Sequence, residues 1–426
     1  MRFWCEHAWL DLSGVRSGVL VDVADGRITA VTPDSPCPPD ARRLTGLVLP
    51  GFANAHSHAF HRALRGRTHA DGGTFWTWRT GMYALAGKLD PDSYRKLATA
   101  VYAEMALAGV TCVGEFHYVH HAPGGVPYAD PNAMAEALRQ AAHDAGIRVT
   151  LLDTCYLAGG IDQPLAPGQL RFSDGSVDAW ASRVSALRSD STLLAGAAIH
   201  SVRAVPRPAL REVVSAWPAG PLHVHLSEQP AENEACFAAY GLSPTELLAS
   251  VGALSARTTA VHATHLSTED IMLLGSTRTG ACFCPTTEAD LADGIGPARE
   301  LADAGSVLSL GSDQHAVIDP LLEARALEHG ERLRTGQRGR FAPSELFSAL
   351  TAHASLGWPS DFADLVAISL DTPRTAGCLP EQVMMVATAA DVHTVIAGGK
   401  VIVEDGHHRV GDVGRLLAEA TEELWR

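Results

Sequence analysis

The segment Gly51–His61, GFANAHSHAFH, decides how the rest of the chain is read. An apolar run, Leu47–Leu49, precedes Pro50 and Gly51, and His56 and His58 follow two residues apart. In an extended segment residues i and i+2 point the same way. Two imidazoles leaving one strand end on one face suit zinc or a similar divalent ion. A pair of polar loop histidines has the same spacing, and the remainder of the chain separates the two readings.

Outward from this segment, the middle of the chain repeats a strand-then-helix rhythm. Expected strands are Leu47–Ala53, Thr111–Phe116, Arg148–Leu152, Leu193–Ile199, Leu222–Leu226, Thr259–His262, Gly280–Phe283 and Val307–Leu310. Ala-rich helical stretches lie between them, among them Pro91–Ala108, Asn132–Ala145, Val177–Leu187, Pro206–Ala216 and Pro297–Ala304. Proline near several helix starts fits its tolerance in the first turn. Eight strands alternating with helices predict an α/β fold, a (β/α)8 TIM-like barrel. A doubly wound sheet needs fewer parallel strands and usually a nucleotide-binding glycine loop. Neither GxGxxG nor GxxxxGK[ST] follows a suitable strand.

Both ends of the chain read differently. Val19–Val23 and Ile28–Val31 are short apolar strands around the turn-prone Asp25–Gly26, before the proline-rich break Pro33–Asp40. Asp364–Ser369, Val383–Ala387, Val392–Ile396 and Lys400–Glu404 have the same character, and Gly411–Arg426 reads as a terminal helix. The expected organisation is a small β-sandwich built from both termini, residues 1–48 and 361–426, around a barrel of residues 49–360.

A 426-residue chain with 46% hydrophobic residues can bury a large core, and 19% charged residues argue against disorder. The 33 basic and 48 acidic residues give a formal charge of -15, with no basic tract to grip nucleic acid. Local arginines can still bind a small anion. No signal-peptide pattern opens the chain, and no apolar stretch is long enough to span a bilayer. Eight scattered cysteines (5, 37, 112, 155, 236, 282, 284 and 378) sit largely in apolar runs and read as reduced core thiols. A cytoplasmic protein, off the membrane and without nucleic acid, is expected.

Chemistry in a barrel belongs at the C-terminal ends of its strands. Those ends carry His56 and His58; Glu115, His117 and Tyr118; His200 and Arg203; His223, His225 and Glu228; His262 and His265; and Asp313, Gln314 and His315. In PLHVHLSEQ the outer histidine, His225, is the expected ligand, with His223 as its support or a barrel-interior residue. Asp313 follows a small-residue turn after the last apolar strand, where one oxygen can ligate and the other orient water. His56, His58, His225 and Asp313 make a mixed nitrogen and oxygen set with room for water, the catalytic pattern. Glu228, three residues beyond His225, can shuttle a proton to a leaving nitrogen. His262 is placed to take a proton or stabilise developing charge.

These motifs resemble those of the amidohydrolase superfamily, whose members pair a metal-binding barrel with a small β-sandwich. The HxH, the later histidines and the final SD have counterparts at His56/His58, His225, His262 and Asp313. Binuclear members carry a lysine at the fourth strand end, where this chain has AAIHSVR, so the resemblance implies one divalent ion, zinc, with Glu228 as the glutamate of the HxxE pair. Within that mononuclear branch the chain is similar to the N-formimino-L-glutamate deiminases. The segments that carry this are FWTWR (75–79), GEFHYVHH (114–121), AIHSVRAV (198–205), HVHLSEQ (223–229), CPTTEADLADG (284–294) and LGSDQHAVIDPL (310–321). The resemblance implies hydrolytic release of ammonia from a small dicarboxylate, a step of histidine degradation, by a homodimer. Glu228, His262 and Asp313 would be the catalytic residues. Arg79 and Arg203 would bind carboxylates through their planar forks, helped by Tyr118 and His200. His61 stands where family members often have glutamine.

Two other readings remain open at this level. Another deaminase of the branch would act on a nucleobase, an adenosine derivative or a triazine, with more aromatic stacking and less use of two arginines. A non-catalytic assembly protein would keep the barrel and lose the ligands.

Overall fold

The computed structural model describes residues 1–10, 14–68 and 73–426. Strands β1 (Arg2–Trp9), β2 (Val15–Ala24), β3 (Arg27–Thr32) and β4 (Arg42–Pro50) open the chain. The barrel follows with β5 (Phe52–Ser57), β6 (Val110–His117), β7 (Arg148–Cys155), β8 (Leu193–Ile199), β9 (Leu222–Leu226), β10 (Thr258–His262), β11 (Gly280–Phe283) and β12 (Leu308–Leu310). Strands β13 (Leu365–Ile368), β14 (Val392–Ala397), β15 (Lys400–Glu404) and β16 (His407–His408) close the order, before a final helix, Val413–Trp425.

Strands β5 to β12 pair in sequence order, every pair parallel. The last edge meets the first through the parallel bridge Ser57–Asp313. There Ser312 N and Asp313 N donate to His56 O at 3.1 and 3.0 Å, and His58 N donates to Asp313 O at 3.2 Å. Gly311 makes this closure possible, because a Cβ there would stand 2.7 Å from His56 Cβ and 2.9 Å from Cys284 Sγ. Every residue of β6 and β7 is buried, as expected of parallel strands covered on both faces.

The terminal strands form a separate mixed sheet in the order β16-β15-β14-β13-β4-β1-β2-β3, joined where β4 pairs antiparallel with β13. The barrel and this second sheet, drawn from both ends of the chain, are as the sequence predicts. Asp364, just before β13, ties the two together. It is buried, pairs with Arg148 of β7, and accepts from Thr111 Oγ1 of β6 at 2.9 Å and from Gly398 N at 2.8 Å.

Helix starts follow from local chemistry. Asp90 and Ser93 form a reciprocal capping box with Pro91 in the first turn of Pro91–Leu107, and Asp319 caps Pro320–Thr335 through Leu322 N.

Two expectations are corrected. The single strand Leu47–Ala53 is two: β4 ends at Pro50 in the mixed sheet, and β5 begins at Phe52 in the barrel. The chain crosses between sheets at Gly51, where a Cβ would meet Thr111 Oγ1 at 2.3 Å. Val383–Ala387 is not a strand; Pro380 starts a 3-10 turn, Pro380–Met385, that buries Val383 and Met384. FWTWR lies on a helix, Phe75–Ala86, capped by Thr74.

Candidate active site

Four of the expected site residues converge at the C-terminal mouth of the barrel, held by its first, fifth and last strands. His56 ends within β5, His58 follows it, His225 lies on β9, and Asp313 follows β12. His225 Nε2 and His56 Nε2 face each other at 3.1 Å. Asp313 Oδ1 lies 3.3 Å from His56 Nε2 and 3.4 Å from His58 Nε2. All four side chains are buried.

The donor chemistry fits one divalent ion. Burial lowers the pKa of His56, His58 and His225, that of His58 to about 3, so the rings are neutral and offer lone pairs. His58 Nδ1 faces Phe116 O at 2.9 Å, which places its hydrogen there and leaves Nε2 free to ligate. Burial works against the charge of Asp313, but the neighbouring histidines outweigh it and hold the carboxyl well below its ordinary value. The donor atoms of His56, His58 and Asp313 lie within 4.8 Å of one another, as do those of His56, His225 and His262. Neutral imidazoles with one carboxylate suit zinc. His223 takes no part, since its ring bonds to Ser355 O at 3.1 Å.

Backbone strain gathers at the same mouth. Ser227, His262, Ala263, Asp313 and His315 all have φ between 40° and 69°, a region costly for residues other than glycine. Each lies at or just beyond a strand end, where the turn aims a side chain inward.

Glu228 and His262 stand beside the ligands. Glu228 Oε1 is 3.7 Å from His262 Nε2, and Glu228 Oε2 is 3.5 Å from Arg203 Nη2. Burial raises the pKa of Glu228, with His262 and Arg203 opposing. Burial disfavours a charged His262, yet Glu228 and a contact to Glu288 outweigh it and raise its pKa well above the ordinary value. Glu288 was not an expected site residue. Its Oε1 lies 3.4 Å from His262 Nδ1 and accepts from Cys284 N at 2.8 Å. Its place in CPTTEADLADG, just after the seventh barrel strand, was the available signal.

Glu115 was seen only as a strand-end residue. It accepts from Ser57 Oγ and Ala59 N, both at 2.7 Å, and so grips the backbone on either side of His58. Burial pushes its carboxyl up to about 7.

A cavity of about 480 Å³, including its open mouth, connects His58, His225, Asp313, Glu228 and His262 to Arg79, Arg203, Tyr118, His200 and His61. Phe75, Trp78, Met82, Tyr83 and Leu291 complete the wall. Arg79 Nε donates to Tyr83 OH, and its guanidinium lies 5.4 Å from the centre of the Trp76 ring. His61 Nε2 pairs with Tyr118 OH at 2.9 Å. Every residue expected to bind substrate therefore lines one cavity with the ligand cluster.

A second histidine cluster, His117, His120 and Asp153, is drawn from β6, the segment after it and β7. Arg183 donates to both Asp153 oxygens at 2.7 and 2.9 Å, and Trp180 Nε1 adds a bond at 3.1 Å. A cation here would face a guanidinium, so this cluster is a neutralised structural network.

Residues 47–402 match the model of the amidohydrolase family. The chain belongs to this family. It is 35% identical to the formimidoylglutamate deiminase of Pseudomonas aeruginosa over 95% of each chain, and 29% identical to the 8-oxoguanine deaminase of that organism over 98% of this chain and 97% of the relative. Among solved structures, an amidohydrolase from Brucella melitensis superposes with a TM-score of 0.93 at 31% identity, covering all of both chains. As a member of the family the protein is a metal-dependent hydrolase of the deaminase type, acting on a carbon–nitrogen bond. No helix among the described residues is long and apolar enough to cross a membrane.

Proposed function

We propose that this enzyme hydrolyses N-formimino-L-glutamate to N-formyl-L-glutamate and ammonia. One observation carries the reading: two arginines, Arg79 and Arg203, line the same cavity as the ligand cluster and Glu228. A substrate with two carboxylates and one amidine-like carbon matches that layout. The 35% identity to a formimidoylglutamate deiminase over nearly the whole chain supports it.

His56, His58, His225 and Asp313 would hold the ion. Bound zinc supplies Lewis acidity and brings the pKa of a water to about 7. Asp313 would orient the attacking water with its second oxygen. Glu228 takes a proton from the water as its oxygen attacks the formimino carbon, and passes the proton to the formimino nitrogen. His262, kept protonated by Glu228 and Glu288, donates to the oxygen on which negative charge builds. Glu228 then carries the remaining hydroxyl proton to the same nitrogen as the carbon–nitrogen bond breaks, so ammonia leaves with both protons of the water and the formyl carbonyl forms.

Arg79 and Arg203 hold the two carboxylates, with Tyr118 and His200 adding hydrogen bonds. His61 sets the Tyr118 hydroxyl. The placement in histidine degradation follows from this substrate. A cytoplasmic location is supported by eight cysteines all free of disulfides, and a homodimer completes the proposal. The substrate reading is tested by ammonia release from N-formimino-L-glutamate beside 8-oxoguanine, guanine, cytosine and adenosine. Turnover of a purine alone overturns it.

A further inference from the structure

Arg203 has a second carboxylate partner besides Glu228. It follows β8, and its Nε donates to Glu232 Oε2 at 2.6 Å. Glu232 lies in the first turn of the helix Pro230–Tyr240, with its side chain fully buried. A carboxylate in that turn is favoured by the helix dipole. Its other oxygen, Oε1, accepts from Ser227 N at 3.1 Å. Ser227 stands between the ligand His225 and Glu228, and has φ 51°. One buried carboxylate therefore joins two pieces of chain from adjacent barrel strands: the arginine after β8 and the strained turn after β9.

We propose that Glu232 is a positioning residue, which fixes the Arg203 guanidinium and the Ser227–Glu228 turn relative to each other so that carboxylate capture and proton transfer share one geometry. By occupying Nε, Glu232 leaves the two terminal nitrogens of Arg203 toward the cavity, where Nη2 lies 3.5 Å from Glu228 Oε2. Those nitrogens form the end of the fork that can meet a substrate carboxylate in two parallel bonds. The same contact spares Glu228 from serving as the sole counter-charge of Arg203, and leaves it able to move a proton. This inference rests on the substrate reading above, in which Arg203 binds a carboxylate.

The test is a double-mutant cycle of Glu232→Gln with Arg203→Ala in the full-length metal-loaded enzyme. Two quantities are read for each protein: the kinetics on N-formimino-L-glutamate, and the Kd of N-formyl-L-glutamate by calorimetry. A glutamine oxygen that still accepts from Ser227 N turns the amide NH2, a donor, toward Arg203 Nε. Alone, Glu232→Gln is expected to raise KM and Kd by roughly tenfold to a hundredfold, the loss of one charge-assisted bond, with kcat changed by less than about threefold and metal content unchanged. In the Arg203→Ala background it is expected to change Kd by less than about threefold. Equal costs in both backgrounds, or a lower melting temperature with KM and Kd unchanged, overturn the positioning role. Failure of the wild-type enzyme to bind N-formyl-L-glutamate also overturns it. A wild-type enzyme that binds this dicarboxylate but releases no ammonia from N-formimino-L-glutamate contradicts the substrate reading instead, and the Kd cycle still decides the coupling.

Discussion

Glu228 and His262 face each other across 3.7 Å, carboxylate oxygen to ring nitrogen, one on the turn after β9 and the other at the end of the adjacent strand β10. Neither side chain reaches solvent appreciably. Each is also tied on its far side, Glu228 to Arg203 and His262 to Glu288. In the proposed mechanism these are the proton carrier and the charge stabiliser, and each is braced by a counter-charge beside the histidine and aspartate cluster.

If Glu228 carries the proton, Glu228→Gln keeps the shape of the site and removes its base. Turnover should fall by about 10²- to 10⁴-fold, with metal content per chain unchanged. Measured kcat near that of the wild type would remove Glu228 from the mechanism.

Arg79→Ala and Arg203→Ala should act mainly through substrate recognition. Each removes charge-assisted bonds, and kcat/KM on N-formimino-L-glutamate should drop by roughly tenfold to a hundredfold, chiefly through KM. An analogue lacking one carboxylate should be affected by only one of the two substitutions. Equal sensitivity of both variants to that analogue would contradict separate carboxylate sites.

Glu288→Gln leaves an oxygen for Cys284 N but weakens the hold on His262 Nδ1. The expected effect is on kcat, at least about tenfold, with KM nearly unchanged and the metal retained. A change confined to KM would place Glu288 in binding instead.

Away from the cluster, Glu323 gives a pH signature. It accepts from Thr286 N at 3.0 Å and from Thr286 Oγ1, and so fixes the start of the helix Pro285–Asp290 that carries Glu288. Burial pushes its carboxyl from an ordinary 4.5 up to about 8, against those hydrogen bonds. Between these values the folded chain keeps a proton that the unfolded chain releases. The group's stabilisation is therefore full below its unfolded pKa and is lost as pH rises through the folded one. Glu323→Gln should flatten this part of the melting temperature profile between the ordinary 4.5 and about 8, measured by scanning calorimetry. Parallel profiles for variant and wild type would contradict the shift.

The barrel was legible because its strands alternate with helices and its polar residues recur at one strand end, a pattern that periodicity carries directly. The HxH, His225 and Asp313 were legible for the same reason. What escaped reading depends on contacts between distant segments. The division of Leu47–Ala53 into two strands turns on Gly51 passing against Thr111, sixty residues later in the sequence. Val383–Ala387 has an apolar run that suits a strand, yet the turn begun by Pro380 and the burial of Val383 and Met384 prevail. Glu115, Glu232 and Glu288 are single glutamates in sequence. Only the fold brings them against Ala59, Arg203 and His262. The two cavity arginines, Arg79 and Arg203, were legible through resemblance, and the carboxylate of Glu232 that holds Arg203 was not.

The central claim is best tested by ammonia release from N-formimino-L-glutamate with metal-analysed protein. The account predicts one zinc per chain, ammonia and N-formyl-L-glutamate formed in equal amounts, loss of both metal and turnover in His225→Ala, and a kcat/KM at least about 10³-fold above that for 8-oxoguanine, guanine, cytosine or adenosine. Zinc-loaded wild-type protein that releases no ammonia from N-formimino-L-glutamate while deaminating one of these bases or nucleosides would contradict it.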